Sequence, residues 1–350
     1  MTLEDAVDNQ IFRSVFVAGA ILTASGGQQA ALSQQEGAFN GKTVEMLIGL
    51  SAGGGYDAYG RMLARFIGRH IPGQPQVIAR NMPGAGSLVL INHLYSVAPK
   101  SGLTFGLFDP VILISPLMGG QNAKFDATKF GWIGSMAGGT SVCVTWHTSP
   151  VSSWSDLFKP GLSLPFGTSG PADSRYQHTA ILKNMFNANV RIIPGYDGSS
   201  AVRLALERGE IAGNCGDSWA SLKSTAAEWV RDKKINIVAQ YAVEKHPDLA
   251  HVPLIMDMAK TETDREALKL LLGPQKAGRP FAAPPGVPVA ILTVLRRAFD
   301  ATMNDPELRE LSKKMDLEIE PVSGEDVAAI FDEIYKTSAA GINAAKEAIK

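Results

Sequence analysis

The chain has 350 residues, 45% hydrophobic and 19% charged, with 35 glycines, 20 prolines and a formal net charge of −1. That length holds two lobes with separate cores rather than one small module, and a near-neutral chain with scattered Lys and Arg gives no electrostatic reason to expect nucleic acid. Cys143 and Cys215, the only cysteines, are too few and too far apart for a metal site; they can form one disulfide in an oxidising compartment, or remain two buried thiols, the more ordinary outcome.

Ser14 to Ala24 reads SVFVAGAILTA, an apolar stretch well short of the roughly 20 residues a membrane span needs. The small, polar run SGGQQAALSQQEGAFNG follows it. Residues 1–40 are therefore read as a signal peptide and disordered tail. Glu4, Asp5 and Asp8 against Arg13 depart from the positive start such signals carry.

From Gly41 the pattern alternates strand and helix. Thr43 to Leu50 is a strand of the kind covered on both faces. SAGGGYD then leads into a helix on which Tyr59, Met62, Leu63, Phe66 and Ile67 form one apolar stripe, with Asp57 placed to cap it. Pro75 to Asn81 is a second strand, PGAGS a turn, SLVLINHLYSVA a helix ending before Pro99, and LTFGLFD a third strand. This βαβαβ order predicts a parallel sheet with right-handed crossovers.

A second series begins near Val142: the strand VCVTW, the short helix SSWSDLF, the strand LSLPFGTS running into GTSGPADS, and a helix from Ser174 to Asn187. The strand VRIIPG, the loop YDGSS, the helix AVRLALER stopped by Gly209, the strand and loop IAGNCGDSW and the strand Ile235 to Ala242 complete it. The rest reads as helical except RPFAAPPGVP, whose prolines exclude a helix interior. The fold expected is α/β and two-lobed, each lobe a mainly parallel sheet flanked by helices with a cleft between. Residues 41–142 and 241–350 form the first lobe, 143–240 the second.

In an open parallel sheet, ligands sit beyond the carboxyl ends of the strands. Gly53, Gly54 and Gly55 lie there, free of Cβ atoms and just before a helix N-terminus that attracts anions; a plain tight turn is the competing reading. NMPGAGS places a second donor-rich turn at the neighbouring strand end, and GTSGPADS adds the hydroxyls of Thr168, Ser169 and Ser174. A small carboxylate fits such a cleft better than a nucleotide. The glycines lack both the P-loop spacing with its Lys and the G-x-G-x-x-G fingerprint, so no cofactor is expected. The six histidines form no H-E-x-x-H pair, so no metal is expected either. Ser169, Asp173 and His178 can be drawn as a hydrolase triad, the alternative reading, although Ser and Asp beside a helix start are more often caps.

The ordered set AGGGYD, N-x-PGAGS, GTSGP, P-G-Y-D-G, LERGEIAG and FAAPPGVP, from about Thr43 to the C-terminus, resembles the extracytoplasmic solute receptors of tripartite tricarboxylate transporters, the Bug receptors. The resemblance implies a periplasmic, non-enzymatic, hinge-closing monomer that hands a small carboxylate to a membrane permease. It also implies a carboxylate held by backbone N–H groups, hydroxyls and water without a salt bridge. On this chain those contacts fall on Gly53, Gly54, Gly55, Tyr56 and Asp57, on Gly84, Ala85 and Gly86, and on Thr168, Ser169 and Ser174. Tyr196, Asn214 and Asp217 match further cleft segments of the family. Asp197 in place of a usual Lys, Asn214 to Asp217 in place of a more apolar run, and Pro99 to Gly102 in place of a P-D-G turn are departures. They bear on the part of the ligand beyond its carboxylate.

Overall fold

In the computed structural model, which describes residues 37–350 except Ala172, the alternating pattern folds into two sheets. The signal-peptide reading falls outside the described residues. β1 (Thr43–Ile48) is followed by α1 (Gly55–Ile67), β2 (Gln76–Asn81), α2 (Leu88–Ser96), β3 (Thr104–Leu107) and β4 (Gly131–Ser135). Next come β5 (Ser141–Trp146), β6 (Leu164–Gly167), α3 (Ser174–Asn184), β7 (Val190–Ile193), α4 (Gly198–Glu207), β8 (Gly213–Ser218), α5 (Trp219–Thr225), α6 (Ala227–Arg231) and β9 (Ile235–Tyr241). The C-terminal part holds α7 (Glu262–Leu272), β10 (Pro280–Ala283), α8 (Val289–Met303), α9 (Pro306–Lys314), β11 (Val322–Ser323), α10 (Gly324–Ile334) and α11 (Ala339–Ala348).

The first lobe is built on a six-stranded sheet ordered β11-β4-β10-β3-β1-β2, the second on a five-stranded sheet ordered β7-β6-β8-β5-β9. Both are mixed. β1 runs parallel to β2 and β3, as the βαβαβ pattern predicts, whereas β10 runs antiparallel to β3 and β4, and β5 antiparallel to β8 and β9. β10 is the strand inside the segment that sequence reading set aside for its prolines. Pro280 is its first residue, where a missing N–H is tolerated.

The apolar stripe of α1 is buried as periodicity predicts, with Tyr59, Met62, Leu63, Phe66 and Ile67 at most 3% exposed. Asp57, however, does not cap α1. Gly54 is the N-cap residue, and Asp57, in the first turn, turns back to accept the Gly53 N–H (3.0 Å), Arg61 Nε (2.9 Å) and Asn81 Nδ2 (2.9 Å). Burial pushes its carboxyl up, but Arg61, the Gly53 N–H and Asn81 outweigh it and hold it below the usual range.

Two strand ends of the first lobe meet at Ser87. Its hydroxyl donates to the Gly49 carbonyl (3.2 Å) and accepts the Asp109 N–H (3.2 Å), tying the ends of β1 and β3 to the turn before α2. That turn is left-handed over Gly84, Ala85, Gly86 and Ser87, with φ of 144°, 46°, 61° and 77°, a run that suits glycine at two of its four positions.

In the second lobe Cys143 and Cys215 face each other across β5 and β8, and the structure joins them in a disulfide. This decides between the two alternatives the sequence leaves open, against the more ordinary one of two free thiols: strand register, which spacing in sequence does not give, sets them opposite one another. With 72 residues of sequence separation between the bridged positions, replacing both by Ser is expected to lower the unfolding free energy by about 2–4 kcal/mol. Urea denaturation of the oxidised protein and of the double mutant measures this, and equal midpoints would show that the bridge contributes nothing.

Candidate functional site

The N-terminus of α1 points at the second lobe, and the two lobes meet there through polar groups. Ser51 Oγ donates to Asp197 Oδ1 (2.8 Å) at the rim. Deeper, Ser174 Oγ donates to Asp109 Oδ2 (2.7 Å) and Arg279 Nη2 donates to Ser221 Oγ (2.7 Å). A Cβ on Gly54 would stand 3.6 Å from Ser199 Oγ, and one on Gly55 would collide with the Ser221 side chain. Gly55 is thus needed for lobe-to-lobe approach as well as for exposing its N–H, whereas a Cβ at position 54 would make ordinary contact.

Between these contacts lies a cavity of ≈ 20 Å³ lined by Gly55, Tyr56, Arg175, Asp217, Gln275 and Arg279 among others, room for about one water. The lobes are closed on each other. The first-turn N–H groups of Gly55, Tyr56 and Asp57 have no backbone partner among the described residues, as expected of helix starts.

The floor of the cavity in the second lobe is ionic. Asp217, 1% exposed, accepts Arg175 Nη2 (2.7 Å) and lies 3.7 Å from Arg203 Nε. Burial pushes the Asp217 carboxyl up, but Arg203 and Arg175 outweigh it and keep it below the usual range. Arg175 also donates to Ser199 (2.6 Å). Asp109, on the other side, is buried with no cation so close, and burial raises its carboxyl in spite of the bonds from Ser174 and the Val111 N–H. Burial and Asp109 together push the Tyr56 phenol upward.

Of the residues anticipated from sequence, Gly55, Tyr56, Ser174 and Asp217 line this cavity. Gly54 abuts it through Ser199, while Gly53 (φ 80°) has given its N–H to Asp57. Gly84, Ala85 and Gly86 sit in the left-handed turn anchored by Ser87. Thr168 and Ser169 carry buried hydroxyl oxygens without a hydrogen-bond partner, and the Thr168 carbonyl accepts the Tyr196 N–H (3.2 Å). Tyr196 packs on Gly167 and the apolar cluster of its own lobe. Asn214 is fully buried and donates weakly to Asp217 (3.4 Å).

Sequence reading missed Arg175, Ser199, Ser221, Gln275 and Arg279. A signal for Arg175 was present: a cation in the first turn of a helix opposes the helix dipole and needs compensation.

The family model described as "Tripartite tricarboxylate transporter family receptor" matches residues 61–346. The chain belongs to this family. It is therefore a solute receptor of a transport system, a binding protein and not an enzyme; binding proteins of this family are periplasmic. The "UPF0065 protein in gbd 5'region" of Cupriavidus necator is 25% identical over 308 residues, 85% of this chain and 86% of that protein. In fold the receptor is similar to the periplasmic binding protein BugD (TM-score 0.68, 18% identity, 85% of this chain and 95% of that one). It is also similar to MatC of Rhodopseudomonas palustris, solved with bound malate (TM-score 0.67, 15% identity, 88% and 99%).

The hydrolase alternative fails on geometry as well. Asp173 caps α3, accepting the Ser169 N–H (3.0 Å) and the Tyr176 N–H (2.8 Å). His178 bonds to neither Ser169 nor Asp173: both its ring nitrogens are buried without a partner and the ring stacks on Tyr241, centroids 4.5 Å apart. One group of potential metal ligands, His246, Asp248 and Glu318, occurs among the described residues. Lys223 already bridges its two carboxylates.

Burial, and secondarily the Arg175 charge, push the His178 pKa down to about 3, so the folded receptor keeps it neutral. In the unfolded chain it titrates near 6.5. Between these values the unfolded state binds the extra proton, so stability falls as pH falls, by about 1.4 kcal/mol per unit from this one group. Wild-type stability is expected to drop by about 2 kcal/mol more than that of His178→Phe between pH 7 and pH 5, measured by urea denaturation at both values; parallel losses would show that His178 is not buried neutral.

Proposed function

We propose that the receptor binds a small carboxylate in the cleft between its lobes and delivers it to the membrane permease of a tripartite tricarboxylate-type transporter. The observation that carries this reading is the start of α1. Unpartnered N–H groups of Gly55 and Tyr56, at the positive end of a helix and at the carboxyl end of a parallel strand, border a polar cavity closed by the opposite lobe. Gly54, the left-handed turn at Gly84 to Gly86, and the unpartnered hydroxyls of Thr168 and Ser169 are the further donors in this proposal, with the lobes divided at residues 142–143 and 240–241. The malate in the related MatC structure is a ligand of the same class. Export through the N-terminal apolar segment and function as a monomer belong to the same reading.

Since the cavity of the closed form admits little more than water, ligand entry requires the lobes to part, and the ligand favours closure through contacts made only in the closed state. A panel of small mono-, di- and tricarboxylates is expected to contain one that raises stability by about 2.7 kcal/mol at a hundred times its dissociation constant, and that lowers the radius of gyration in solution scattering. Gly54→Val, whose side chain would meet Ser199, is expected to abolish both effects while the variant remains folded. A panel in which no carboxylate shifts the melting curve would refute the reading.

A further inference from the structure

Arg279 immediately precedes β10, a strand in the middle of the first lobe's sheet, and is 3% exposed. Its backbone is fixed, the N–H donating to Ser135 Oγ (3.0 Å) and the carbonyl accepting the Met136 N–H (3.2 Å). Its guanidinium donates to the Gly278 carbonyl (2.6 Å) and to Ser221 Oγ (2.7 Å), and Nε has no partner. The rings of Tyr56 and Tyr59 lie with their centroids 4.2 and 5.1 Å from it.

No carboxylate among the described residues forms a salt bridge with Arg279. The two other buried arginines of this region differ in that respect, because Arg175 and Arg203 share Asp217. A buried guanidinium without a counter-charge carries a desolvation cost that neutral hydrogen bonds and ring faces offset only in part. Arg279 also lines the cavity that Gly55 and Tyr56 line.

We propose that Arg279 is a specificity-determining residue whose counter-charge is supplied by the ligand: a second acidic group, beyond the carboxylate held by the neutral donors at the start of α1, pairs with this guanidinium in the closed cleft. The inference rests on the carboxylate-receptor reading. It departs from the salt-bridge-free recognition that the family resemblance implies. Ser221, whose hydroxyl holds one of the guanidinium's donors in this closed form, is the group the second acid would displace or share. The backbone of Arg279, held to Ser135 and Met136, roots this side chain in the first lobe, so selection for a dianion is built into that lobe.

The test uses matched pairs of equal chain length, succinate with butyrate and adipate with hexanoate, in calorimetry on the purified protein at pH 7 and low salt. Within at least one pair the wild type is expected to bind the dicarboxylate at least about tenfold more tightly, and Arg279→Gln to weaken that dicarboxylate about 30-fold or more while leaving the monocarboxylate within about threefold. Arg279→Lys should fall between, because it keeps the charge and loses the planar fork. Circular dichroism and melting without ligand measure any purely structural effect; should Arg279→Gln fail to fold, the wild-type discrimination and the Lys variant still decide. Equal wild-type affinity for the two members of every pair that binds, or equal losses for both in the variants, would overturn the role of Arg279 and leave the carboxylate reading intact. Failure of all four acids, and of the wider carboxylate panel, to bind the wild type would instead overturn the reading beneath it.

Discussion

A carboxylate buried among guanidiniums sets the geometry of the cleft. Among the described residues Asp217 is the one acid within salt-bridge distance of both Arg175 and Arg203, and they come from different elements, the first turn of α3 and the middle of α4. Without it two buried cations would stand in low dielectric with no counter-charge, an arrangement far costlier than the pair is stabilising. With it, α3 and α4 are drawn toward the edge of β8. Ser174 and Ser199, near the starts of those helices, thereby face the first lobe, Ser174 at Asp109 and Ser199 at Gly54. The hydroxyls that meet the first lobe are placed by an ion cluster that need not touch a ligand.

The first lobe achieves the same end by other means. Its strand ends carry glycines and a left-handed turn, and its ordering groups are local: Asp57 clipping the loop to the helix, Ser87 spanning two strand ends. A side ordered by local contacts in its loops thus faces a side ordered by a buried ion cluster. Closure brings the two within hydrogen-bonding distance at several places, from Ser51 and Asp197 at the rim to Asp109 and Ser174 in the interior.

What was legible in the sequence was whatever depends on near neighbours. The α1 stripe, the β1 and β2 runs and the βαβαβ order came from periodicity, and the glycine turns from the rarity of such runs. β10 was not legible, since four residues between prolines give no period and its burial comes from strands more than a hundred positions away. Asp57 looked like a cap because it stands near a helix start; only the folded loop shows that Gly53 lies within its reach. Arg175 and Arg279 were lost among scattered basic residues, for charge pairing is a relation in space. Arg279 left one trace, a lone cation opening the apolar run FAA, which a reader attending to buried charge could have picked out.

Gly49 and Ser87 illustrate how such packing constrains the history open to the chain. A Cβ on Gly49 would stand 2.7 Å from Ser87 Oγ and 2.8 Å from its Cβ, so any side chain at position 49 requires position 87 to shrink. Shrinking position 87 to glycine would remove the hydroxyl that holds the ends of β1 and β3. Two residues 38 apart in sequence are therefore coupled through packing: position 49 can gain a side chain only at the expense of the hydroxyl that ties those strand ends together.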